Sequence, residues 1–115
     1  MRERLRKLHL DDREFTWMAD IRAAPGADGR RRRYIRVRVW GAGKTGCVLQ
    51  ADMTELPVPA TAEETTYAYP SAAIVRRLVT WGLAAGWKPE QVGGVFRVSS
   101  AAGPVLPGLG LVDVP

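Results

Sequence analysis

The chain has 115 residues, with 17 Lys and Arg against 12 Asp and Glu, one Cys and one His, which is the length of one domain around one core. A lone cysteine excludes an internal disulfide, and with a single histidine it leaves a structural zinc site short of its usual ligands. No apolar run reaches membrane-spanning length, and "MRERLRKLHLDDRE" lacks the apolar stretch of a secretion signal, so the expectation is a reduced, cytoplasmic protein without a membrane role.

In chain order, "LRKLHL" reads as a short strand, and Asp11-Asp12 supply turn chemistry. "EFTWMADIRA" alternates, with Phe15, Trp17, Ala19 and Ile21 on one face and Thr16, Met18, Asp20 and Arg22 on the other. "APGADGRRR" carries Pro25-Gly26 and Asp28-Gly29 and reads as a loop. "RYIRVRVWG" alternates again: Ile35, Val37 and Val39 oppose Tyr34, Arg36, Arg38 and Trp40. "GAGKTG" turns the chain and "CVLQADM" returns it as a fourth strand, with Cys47 as a small apolar side chain. Short connections of this kind predict an antiparallel meander.

Thr54 to Tyr69 has two prolines and little periodicity, the character of a crossing loop. "YPSAAIVRRLVTWGLAAGW" then changes period, placing Ile74, Val75, Leu78, Val79, Gly82, Leu83 and Gly86 on one helical stripe. Pro70 suits a first helical turn with Ser71 or Tyr69 near the cap, Gly86 suits its end, and Gly82 lets the helix lie close to the sheet. Trp87 is placed at the core edge, Gly93-Gly94 bend the chain, and "VFRVS" is a fifth strand in which Val95 and Arg97 oppose Phe96 and Val98. The tail "AAGPVLPGLGLVDVP" is rich in Pro and Gly, against a regular element, although its apolar residues suit a strap. The predicted fold class is α+β in two layers, an antiparallel meander of four to five strands with one amphipathic helix on one face, in the order β-β-β-β-α-β. Residues 1–100 form the domain and 101–115 an irregular tail.

Gly43-Lys44-Thr45 raises the question of a nucleotide. A phosphate loop of the G-x-x-x-x-G-K-[ST] type follows a strand and opens a helix, whose first backbone N–H groups converge on phosphate. Here Arg38 occupies the first glycine's position and "CVLQADM" has strand character, so a glycine-rich hairpin turn accounts for the stretch. No nucleophile elbow and no paired carboxylates stand out, so no catalytic residue, cofactor or metal is assigned. An enzymatic alternative would rest on His9 with Asp11 or Asp12.

The charge is uneven: residues 1–53 hold 13 basic and 7 acidic side chains, residues 54–115 hold 4 and 5. Arg30, Arg31, Arg32 and Arg33 run into the strand face of Tyr34, Arg36, Arg38 and Trp40, and Lys44 in the next loop extends it. Guanidiniums beside planar rings suit phosphate backbones and unstacked bases. The bland reading is equally physical: Asp20 and Glu14 share that face on the neighbouring strand and suit ion pairs with Arg36 and Arg38. The leading expectation is a non-enzymatic binding module that meets a protein partner through this open face. Nucleic-acid binding through the same face is the alternative, and self-association through the "RKLHL" edge is open.

Three segments, "RKLHLDDREFTWMADIR", "IRVRVWGAGKTGCVLQAD" and "WGLAAGWKPEQVGGVF", resemble a group of small uncharacterised proteins from actinobacteria. The likeness spans most of residues 6–98 and leaves the tail uncovered. It implies a freestanding bacterial domain and brings no ligand, activity or site residue with it.

Overall fold

The computed structural model describes residues 5–25, 29, 31–41, 46–55, 70–104, 106 and 109–113. Their elements are β1 (Arg6–Leu10), β2 (Arg13–Pro25), β3 (Arg31–Trp40), β4 (Val48–Glu55), α1 (Ala72–Ala85), β5 (Val95–Arg97) and β6 (Leu109–Val112). The strands form one sheet in the order β1-β2-β3-β4-β5, with β6 also pairing β4. This is the expected α+β arrangement of a mostly antiparallel sheet and one helix.

Local chemistry sets the first connections. Leu10 pairs with Arg13 across a two-residue turn in which Asp11 and Asp12 both have positive φ, 47° and 62°. A tight turn of that hand matches strand twist, and aspartate is among the few non-glycine residues that tolerate it. β2 and β3 pair from Thr16–Trp40 to Pro25–Arg31, so the strands run into what the sequence suggested was loop. Arg31 and Arg33 therefore belong to a ladder and not to a loop tip. Past Ile21 opposite Ile35, β2 and β3 have only each other among the described strands, and Ile21 is 50% exposed there.

The expected inner faces hold. Phe15, Trp17, Ile35, Val37, Val39, Leu49, Ala51 and Met53 meet Ile74, Val75, Leu78 and Val79 of α1 in one core. Ser71 caps the helix, its Oγ accepting from the Ile74 N–H at 3.4 Å, and Gly86 closes it in the left-handed region at φ 106°. Gly86 is thus an exposed cap and not part of the buried stripe. Gly82 faces Leu49 and Trp87, and a Cβ there would lie 3.3 Å from Trp87 Cε3. Trp87 is 2% exposed and donates its indole N–H to the Cys47 carbonyl at 3.0 Å, tying the helix exit to the start of β4.

Two expectations need correction. β5 runs parallel to β4, Val48 opposite Val95, because the helix carries the chain back before the strand begins. The tail is not wholly irregular: Leu109–Val112 adds β6 antiparallel to Asp52–Glu55 of β4. β4 therefore has β3 on one side and two successive neighbours on the other.

Candidate contact surface

The side of the sheet away from α1 carries the residues singled out from the sequence. Alternation along β3 puts Tyr34, Arg36, Arg38 and Trp40 there, and the register sets Arg36 beside Asp20 of β2 and Asp52 of β4. Arg38 stands beside Met18 and Gln50 in the same way.

This face is not the open platform the pattern suggested. Thr16, Met18, Tyr34, Gln50 and Asp52 are each 8% exposed or less. The Arg36 side chain retains 13% of its exposure and that of Asp52 7%. Arg36 donates from Nε to Asp52 Oδ1 at 2.8 Å and from Nη2 to Oδ2 at 3.2 Å, a fork-on-fork pair. Its guanidinium also lies 5.6 Å from the Tyr34 ring centroid. The hydrogen bond to Asp52 raises the Arg36 pKa above its ordinary value, against the opposing pull of burial.

Arg38 donates from Nε to Gln50 Oε1 at 3.2 Å. The expected pairs with Asp20 and Glu14 are replaced. Asp20 accepts from Arg22 Nε at 2.7 Å, its neighbour along the same strand face. Glu14 accepts from Lys7 Nζ at 2.8 Å and lies 3.2 Å from His9 Nε2. Lys7 lowers the Glu14 pKa through that hydrogen bond and its charge. His9 is thus engaged with Glu14, and its ring makes no bond to Asp11 or Asp12. Among the described residues no three His, Cys, Asp or Glu side chains converge as metal ligands would.

Of the remaining candidates, Arg33 is exposed, and Arg36, Arg38 and Trp40 are half-buried. Arg30 and Lys44 lie outside the described residues, as does the Gly43-Lys44-Thr45 turn itself. Val48–Glu55, which follows it, is a strand and not the helix a phosphate loop opens.

Asp52 and Gln50 are the partners of Arg36 and Arg38 that the sequence alone did not single out. The alternation of "CVLQADM" contained the signal, since it places both on one face of β4. They also border a cleft of about 260 Å³ where β5 and β6 part, shared with Arg97, Ser99 and Asp113. Asp113 accepts from the Ser100 N–H at 2.9 Å and its hydroxyl at 2.6 Å, bonds that lower the carboxyl's pKa.

No protein-family model matches the chain, nor does any curated protein or solved structure. No helix among the described residues is long and apolar enough to cross a membrane.

Proposed function

We propose that this protein is a small binding module that acts by contact with a protein partner, without catalysis, through the β3 side of the sheet and the outer part of the β2–β3 ladder. The observation that supports this most is the internal satisfaction of the Arg36 guanidinium by Asp52, with Arg38 held by Gln50. A phosphate backbone selects cations that are free to replace counterions. Here an anion would have to displace a bonded, largely buried carboxylate. Exposed Arg33 and exposed Ile21, with half-buried Arg38 and Trp40 beside them, make a mixture of aromatic, Arg and apolar groups typical of protein interfaces. A cytoplasmic setting, self-association through the β1 edge, and kinship with the small actinobacterial proteins belong to the same reading.

The test is affinity capture with the intact chain against Trp40→Ala and Arg33→Glu variants. A stoichiometric partner that survives moderate salt and is lost with either variant supports the proposal. The nucleic-acid reading keeps one argument, the sequence run Arg30–Arg33, whose Arg33 is exposed on β3. Retention on immobilised DNA or RNA that falls steeply with salt, and on replacing Arg31 and Arg33, would transfer the assignment to it.

A further inference from the structure

We propose that the outward face of α1 is a second docking site, for an acidic peptide segment bearing apolar anchors. The inner stripe of this helix is consumed by the core: Ile74, Val75, Leu78, Val79 and Gly82 are all buried. The opposite side, with Pro104 of the segment after β5 as its far wall, forms a groove of about 590 Å³ lined by Ala73, Arg76, Arg77, Trp81 and Ala84.

Three features separate this groove from an ordinary solvated helix face. Such a face carries both signs of charge, arranged in pairs three or four residues apart. α1 has two arginines and no acidic residue over its whole length. Neither Arg76 nor Arg77 has an ion pair or side-chain hydrogen bond among the described residues, and both are exposed. The second feature is the floor. Trp81 is half-buried and held edge-on against Phe96, ring centroids 6.1 Å apart at 62°. An aromatic ring fixed in place and still partly accessible is a pre-ordered anchor point. The third is relief: Ala73 and Ala84 are small, so a backbone or an apolar side chain can approach closely.

Charge selects the occupant. A second copy docked face to face through its own α1 would bring two Arg76-Arg77 pairs together with no helix carboxylate between them. A bare phosphate polymer would find two cations but no use for the indole and alanine floor. An amphipathic segment with Glu or Asp flanking Leu or Phe satisfies both, seating its apolar side on Trp81 and its carboxylates on the two guanidiniums.

The test is NMR of the ¹⁵N-labelled full chain with two synthetic helical peptides of one apolar spacing, one with Glu and one with Lys at every polar position. Anionic phosphatidylglycerol vesicles form a third arm. The Glu peptide is expected to shift the amides of Ala73 to Ala84 and the Trp81 indole N–H, and the Lys peptide to leave them unmoved. Arg76→Glu with Arg77→Glu keeps the dispersed spectrum, since both side chains are exposed, and weakens the Glu peptide by roughly tenfold or more. Absent shifts, an equal response to the Lys peptide, binding unaffected by the double variant, or response to vesicles alone each overturn the proposal. The sheet-face reading is judged separately by Trp40 and Arg33 variants and stands or falls without this result.

Discussion

Arg36 and Asp52 face each other across β3 and β4, joined by two hydrogen bonds of 2.8 and 3.2 Å within a layer that water barely reaches. Removing one member of such a pair strands the other charge in a poor solvent. Asp52→Ala is expected to cost about 3 kcal/mol, measured by urea denaturation, because the guanidinium is left uncompensated. Replacing both residues by leucine should recover most of that loss, since paired apolar side chains of similar volume remove both desolvation costs. A double variant as unstable as Asp52→Ala alone would show that the pair is not the cause.

How much of this was readable beforehand differs between the two sides of the sheet. Ile35, Val37 and Val39 were legible as the inner row because a period of two needs no knowledge of the neighbours. The helix stripe and the close approach at Gly82 were legible for the same local reason. The partner of Arg36 was not, because Asp20 on β2 and Asp52 on β4 both stand directly beside it. Choosing between them requires the β3–β4 register, which depends on the span of the glycine-rich turn, and it requires knowing that Arg22 already holds Asp20. β6 was hidden by its composition: four residues within a Pro- and Gly-rich stretch show no period, and they pair because β4 offers a vacant edge.

Trp17 and Trp87 are equally buried, at 2% each, yet differ in one bond. The Trp87 indole donates to Cys47, whereas Trp17 Nε1 is enclosed with no acceptor among the described residues. Trp87→Phe deletes packing and also orphans a carbonyl, so a loss of about 3 kcal/mol is expected from thermal or urea unfolding. Trp17→Phe removes similar volume together with an unsatisfied donor, and its loss should be smaller by about 1–2 kcal/mol. Equal losses would contradict this account.

Gly82 sets helix propensity against packing. Alanine in a helix interior is favoured over glycine by about 1 kcal/mol, but here the added methyl meets Leu49 and Trp87. Leu49 is fully buried, so it has little room to turn aside, and overpacking of this kind costs about 1–3 kcal/mol. Gly82→Ala is therefore expected to destabilise, by about 1 kcal/mol in denaturant titration. In a Leu49→Ala background the same change should turn stabilising, since the harder obstruction is gone and only the 3.3 Å approach to Trp87 Cε3 remains.

Acid should weaken the fold through particular carboxylates. The pKa of Glu14 is depressed by Lys7 and that of Asp113 by Ser100. A depressed folded-state value means that the stabilisation is present above the ordinary carboxylate pKa, about 4, and is lost as pH falls through the lowered one. The melting temperature is expected to hold between about pH 7 and about pH 5 and to drop below about pH 4. Glu14→Gln with Asp113→Asn should flatten that drop, as followed by circular dichroism.

β4 shares one edge between an incoming parallel strand and an incoming antiparallel one, and this has a consequence for solubility. A foreign strand seeking to zip along Val48–Glu55 would have to evict β5 from one half and β6 from the other, two unrelated segments with opposite directions. At the sheet's two ends β1 and β5 are five and three residues long and give an intruder little length to grip; among the described residues the longer open edge is that of β2 beyond Trp17, where β1 stops. Clipping the chain ahead of Leu109 would lift that guard from Asp52–Glu55 and leave a bare ladder of amides and carbonyls, open to amyloid-like stacking.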